Sequence, residues 1–94
     1  MTKNELAKEL AVSEHLHLST ATQAVDGILR IIKNALADGD DITLRGFGTI
    51  STVKREARNA VDFKTNSSIT IPAFRTVRIK ISKELKNILN NEAL

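Results

Sequence analysis

Apolar positions recur along this chain with two different periods. In the first forty residues the period is helical. Thr2 followed three residues later by Glu5 is a capping-box pattern that predicts a helix from Lys3 to about Ser13 or Glu14, with Leu6 and Leu10 on one face beside Ala7 and Ala11. His15-Leu16-His17-Leu18 reads as a connector whose two leucines fold under. A second start is expected at Ser19 or Thr20, since Thr20 with Gln23 also fits a capping box. Val25, Ile28, Leu29, Ile32 and Leu36 then form the stripe of a long amphipathic helix, closed by Gly39 as its C′ residue. Gly27 inside that helix marks either close packing or indifference, at a cost of up to about 1 kcal/mol relative to Ala.

After Gly39 the period becomes two. Ile42-Thr43-Leu44-Arg45 alternates as a strand, Gly46-Phe47-Gly48 is a tight turn with an apolar plug expected in the core, and a strand resumes at Thr49 and runs past Val53. On the return side Ile69, Ile71, Ala73, Val77, Ile79 and Ile81 share one parity, and Ser68, Thr70, Thr76, Arg78 and Lys80 the other. Phe74 and Arg75 break this parity, which predicts a bulge near Ala73–Thr76. Pro72 requires an open edge on its N–H side. Ser82 caps a final helix striped by Leu85, Ile88 and Leu89, and residues 90–94 read as a frayed end.

The order helix, helix, three strands, helix defines an α+β fold: a helical hairpin body, a three-stranded antiparallel sheet extended into a long β-ribbon arm, and a short C-terminal helix. Ninety-four residues suit a single domain, 1–94, with the arm at about 53–77. A long hairpin is marginally stable alone, and the helical pair has little to cover its apolar face. An intertwined dimer sharing one core resolves both; a homodimer or a heterodimer with a paralogue is compatible with the sequence.

Composition narrows the class. There is no cysteine, which excludes disulfides and thiolate metal sites and suits a reducing cytoplasm. No apolar run is long enough to span a bilayer, and the N-terminus lacks the apolar stretch of a secretory signal. The net charge of +3 is modest, but it is clustered. Residues 51–80 hold seven basic side chains against two acidic ones, whereas the first forty hold four against six. A basic ribbon with an aromatic, Phe63, among turn-forming residues near its middle is built to lie along nucleic acid. His15 and His17 lack a third ligand, so no metal or other cofactor is expected. No nucleophile–base arrangement or phosphate-cradling glycine loop occurs, so no enzyme is expected.

Gly39-Asp40 followed by Ile42-Thr43-Leu44-Arg45-Gly46-Phe47-Gly48-Thr49-Ile50, then Ile69-Thr70-Ile71-Pro72-Ala73, then Lys83-Glu84-Leu85-Lys86, resemble in order and spacing the HU/IHF family of bacterial histone-like DNA-bending proteins. The likeness covers Thr2 to about Leu89. It implies a helical dimer body with two ribbon arms that enter the minor groove of duplex DNA and bend it by partial intercalation of an apolar residue at each tip. It also implies a cytoplasmic, nucleoid-associated protein. The family's tip usually reads Arg-Asn-Pro, with the proline as wedge. Arg58-Asn59-Ala60 is similar to that string three residues early with the proline lost. The ungapped register instead puts Phe63 at the wedge position, Phe63-Lys64-Thr65-Asn66 over the turn, and Val61-Asp62 in place of Arg-Asn. It is preferred because the flanking matches need no shift. Asn66 stands where the family has Gly and is the next best residue for positive φ.

The candidate DNA-contacting residues are Lys54, Arg55, Arg58 and Lys64 on the arm, Arg75, Arg78 and Lys80 on its return, and Phe63 as wedge. By the resemblance, Lys3, Arg45 and Lys83 match body positions that contact phosphate. The bland alternatives are a solvated charged edge that resists aggregation for the arm cations, inert surface charge for the three body cations, and packing at the ribbon root or a dimer contact for Phe63. The expected function is architectural DNA binding with weak sequence preference, biased to flexible or A·T-rich sites because the minor-groove code is degenerate. The alternatives are a site-preferring integration-host-factor-like factor in transcription or recombination, towards which Arg45 leans, and a structural module for protein partners.

Overall fold

The computed structural model describes residues 1–91; Glu92, Ala93 and Leu94 of the expected frayed end lie outside the described residues. The chain divides into two compact units, Met1–Asp38 and a second from Gly39 onward.

The first unit is a pair of helices, α1 (Lys3–Ser13) and α2 (Leu18–Ala37), packed on each other. Thr2 caps α1 as expected: its hydroxyl accepts the Glu5 N–H at 3.2 Å and lies 3.3 Å from the Glu5 carboxylate, to which it donates. The helix ends in a Schellman turn, which the sequence did not announce because the residue in the left-handed region is His15 (φ 54) rather than glycine. The Leu16 N–H reaches back to the Ala11 carbonyl at 2.9 Å. This compact reversal starts α2 at Leu18, one to two residues before the Ser19 or Thr20 start. His17 occupies the N-cap without a side-chain cap, and Thr22 donates its hydroxyl to the Leu18 carbonyl. Leu16 and Leu18, expected to fold under, are exposed. Gly39 (φ 85) closes α2 as expected. A Cβ on Gly27 would meet only the Arg30 guanidinium, at an ordinary 3.7 Å, so within one chain no close packing demands that glycine.

The second unit contains β1 (Ile42–Leu44), β2 (Gly48–Arg55), β3 (Arg58–Asp62), β4 (Ser67–Ile71), β5 (Phe74–Ile81) and α3 (Lys83–Asn90). Its antiparallel sheet has the order β1-β2-β5, and β3-β4 form a separate two-stranded ribbon. The long hairpin is therefore interrupted, but not by a bulge. Arg55 pairs with Phe74 and Arg58 with Ile71, so two residues drop out of the ladder on each strand, Glu56-Ala57 opposite Pro72-Ala73, and no extra residue enters. The expected bulge is thus absent. Register and parity run straight through, and Arg75 and Phe74 stand on the faces their numbers dictate. Pro72 sits in the break, where its missing N–H forfeits no ladder bond.

Two local devices join the first hairpin to α3. The Ser82 N–H donates to the Phe47 carbonyl at 2.8 Å, and the Ser82 hydroxyl accepts the Leu85 N–H at 3.1 Å as the N-cap of α3. Gly48 pairs with Ile81 at one end of the β2–β5 ladder. A Cβ there would strike the Lys80 carbonyl oxygen and stand 3.0 Å from Ile81 Cα. Phe47, expected in the core, is instead 49% exposed: it tops a three-residue turn that the described residues of one chain leave half open. Among the described residues the only buried apolar side chains are Ala7 and Ala21, both in the helical pair.

Candidate nucleic-acid interface

Strand register decides which cations share a surface, because directly paired residues of an antiparallel ladder point to the same side. On one face of β2–β5, Thr49 pairs with Lys80, Ser51 with Arg78, Val53 with Thr76 and Arg55 with Phe74. This face is polar apart from Val53 and Phe74 and carries Arg55, Arg78 and Lys80. The opposite face begins apolar, with Ile50 opposite Ile79 and Thr52 opposite Val77, and ends in a pair of cations, Lys54 opposite Arg75. Like charges directly opposed destabilise a ladder unless an anion lies near them. The arm cations thus flank the ribbon on both sides.

Two recesses bring further cations of the sheet unit together. Arg45, Lys80 and Lys83 line one of about 370 Å³ around the first hairpin turn and the start of α3, together with Gly46, Gly48 and Ser82. The Glu84 carboxylate, in the first turn of α3, stands beside Gly46 at the edge of this recess. Arg55, Arg58, Glu56 and Phe74 line the second, also about 370 Å³, at the break in the ribbon. Lys64 stands apart in the tip turn. Lys3 belongs to the helical unit, where its ammonium is 2.9 Å from the Asp26 carboxylate. This is a surface pair worth about 0–1 kcal/mol, so it does not prevent Lys3 from exchanging partners.

The tip is built by its own short-range bonds. Residues 63–66 form a four-residue loop between β3 and β4, with Asn66 at φ 58 as its sequence suggests. The Asn66 N–H donates to the Asp62 carbonyl at 2.7 Å, and the Lys64 N–H donates to the Asp62 carboxylate at 3.0 Å. Phe63 is left 95% exposed. A lone aromatic held out at the end of a ribbon gains nothing from folding. Two contacts go beyond the sequence patterns, one in each unit. Asp26, the partner of Lys3, had no local signal. Asp62 had one, since an aspartate commonly accepts the backbone N–H two residues on.

A helical pair, a three-stranded sheet and a basic ribbon ending in an exposed apolar residue define an α+β protein of the histone-like DNA-binding type. The chain belongs to the bacterial DNA-binding protein family, whose pattern it matches over residues 1–90. It is 40% identical over 86 residues to the DNA-binding protein HU of Campylobacter jejuni, covering 92% of this chain and 88% of that protein. It is 32% identical over 90 residues to the DNA-binding protein HU-beta of Salmonella typhimurium, covering 96% of this chain and all of the relative. Among solved structures, Anabaena HU cocrystallised with DNA is similar at a TM-score of 0.86 and 30% identity, covering 95% of this chain and 97% of that one. The family is the one that the three sequence strings resemble.

Proposed function

We propose that this chain is a non-catalytic architectural DNA-binding protein that acts as one domain, 1–94, in a bacterial nucleoid. A dimer of it grips duplex DNA with two arms that enter the minor groove, and Phe63 from each arm props open a base step and bends the duplex. The observation that carries the proposal is the ribbon itself. Its register sets Arg55, Arg78 and Lys80 on one face and Lys54 with Arg75 on the other, and it ends in an aromatic with 95% of its surface in solvent. Cations flanking a two-stranded ribbon match the two phosphate backbones that border a groove. The cocrystallised relative from Anabaena supports DNA as the partner.

Phosphate contacts release counterions, so affinity for random duplex is expected to fall steeply with salt. If about six phosphates are neutralised per dimer, log K against log[salt] has a slope near −5. Arg78→Ala and Lys80→Ala should each weaken binding similarly on all sequences and flatten that slope by about 1 for each phosphate no longer neutralised. A flat slope, with no complex at micromolar protein, would point to a protein partner instead.

The small buried core among the described residues of one chain supports a dimer. Ala7 and Ala21 are too small to hold the fold, while Leu6, Ile28, Ile79 (60% exposed), Ile81 and Leu89 face solvent in the single chain. Burying a large aliphatic side chain is worth about 1.5–3 kcal/mol, so a partner chain that covers these positions supplies the stability one chain lacks. The melting temperature should therefore rise with protein concentration. A concentration-independent transition at monomer mass by sedimentation would overturn this.

A further inference from the structure

The outermost part of the arm pairs an exposed aromatic with a pinned negative charge. Between Asn59 and Ala73 the only ionisable side chains are Asp62 and Lys64, so the outer ribbon is formally neutral. The two charges are not held alike. Asp62 Oδ1 accepts the Lys64 backbone N–H at 3.0 Å, and the Asp62 carbonyl accepts the Asn66 N–H at 2.7 Å. The Lys64 ammonium, by contrast, rides on a flexible four-carbon stem. Beyond them the Thr65 and Ser67 hydroxyls are 2.6 Å apart and draw the far side of the loop together. Both bonds that shape the start of the turn thus end on Asp62, and the residue between them is Phe63.

We propose that Asp62 is a positioning and specificity-determining residue of the arm. It holds the turn that projects Phe63, and its fixed carboxylate turns the tip away from narrow A·T-rich minor grooves and towards flexible pyrimidine–purine steps. The proposal rests on Phe63 being the minor-groove wedge. Runs of A·T narrow the minor groove, concentrate its negative potential and stiffen the stack, whereas pyrimidine–purine steps unstack easily. A carboxylate carried in beside the wedge is repelled most where that potential is deepest. The nearest arm arginine, Arg58, is four residues back along β3, roughly 13 Å of strand. That exceeds the screening length of about 8–10 Å at working salt, so it does little to offset Asp62 at the tip.

The test uses the full chain on two duplexes of equal length, one with a central pyrimidine–purine step and one with a central A-tract, and reads affinity by competition and bend angle by energy transfer. The unaltered protein should prefer the flexible-step duplex. Asp62→Asn keeps a carbonyl acceptor for the Lys64 N–H but removes the charge. Its bend should be retained, while the preference shrinks by about five-fold, the scale of one partly screened unit charge. Asp62→Ala removes the acceptor as well, and its bend should fall on both duplexes. Asp62 has no such role if the unaltered protein favours the A-tract, if Asp62→Asn discriminates as strongly as the parent, or if Asp62→Ala bends as the parent does. Phe63→Ala run alongside separates the two failures. An unchanged bend in Phe63→Ala removes the wedge reading itself. A lost bend there, with discrimination intact in Asp62→Asn, removes only the inference about Asp62.

Discussion

Replacing Phe63 by alanine is expected to lower the DNA bend angle sharply while changing affinity by less than about ten-fold. The asymmetry follows from how bending is balanced. Unstacking a base step costs a few kcal/mol, and the bent duplex recovers that through added contacts with the protein. Removing the wedge removes the cost and the recovered contacts together, so the binding free energy moves less than the geometry. On a duplex nicked at the bending step the unstacking cost is already reduced, and the bend of Phe63→Ala should approach that of the parent. Energy transfer between dyes at the duplex ends reports both cases. A bend unchanged in Phe63→Ala on intact duplex would show that the exposed aromatic serves some other contact.

The second large effect is on stability. Gly48→Ala places a Cβ against the Lys80 carbonyl oxygen and 3.0 Å from Ile81 Cα, and neither is a side-chain end that can swing aside. Either β2 or β5 must move, and the Gly48–Ile81 pairing that anchors the sheet beside α3 goes with it. Overpacking of this kind costs about 1–3 kcal/mol and often more against rigid backbone, which for a domain of this size lowers the melting temperature by roughly 10–20 °C. Gly39→Ala is the control. Gly39 also has positive φ, but nothing lies within 4 Å of its would-be Cβ. It should lose only the cost of a left-handed alanine, about 1–2 kcal/mol. Thermal melts at one protein concentration compare the two, and equal losses would mean that close packing at Gly48 is not what demands the glycine.

The parts of the fold legible in advance are those fixed by neighbours in the sequence. Thr2 and Ser82 were recognisable as caps because a hydroxyl satisfies an N–H only two or three residues away, and both do so here. Gly39 was recognisable because few residues tolerate its backbone angles, and Asn66 for the same reason at the tip. The start of α2 is not legible, because its approach relies on His15 in a left-handed conformation, which a histidine's presence does not signal. Phe74 and Arg75 lie on parities that predict a bulge, and the pairing shows none. Opposed breaks at Glu56-Ala57 and Pro72-Ala73 conserve register, a fact about two strands that neither strand contains alone.

The candidate site divides along the same line. The arm cations and an aromatic among turn-forming residues are legible from composition and order, because charge and turn chemistry are properties of a segment; Lys3, Arg45, Lys83 and the place of Phe63 over the turn come from the family resemblance. Which cations act together is legible from neither. Arg55 shares a face with Arg78 and Lys80 rather than with Lys54, its neighbour in sequence, since adjacent strand residues point to opposite sides and only the ladder joins distant ones. Nor was it visible that Asp62, which reads as an added negative charge beside Phe63, is the residue on which the tip turn closes. By itself, then, the sequence determined the helix caps, the basic ribbon and its aromatic end through local periodicity or short-range bonding, and the family through the resemblance of three strings in order. Tertiary structure alone decided the cation faces, the uninterrupted register and the exposure of Phe47, because those depend on contacts between residues far apart along the chain.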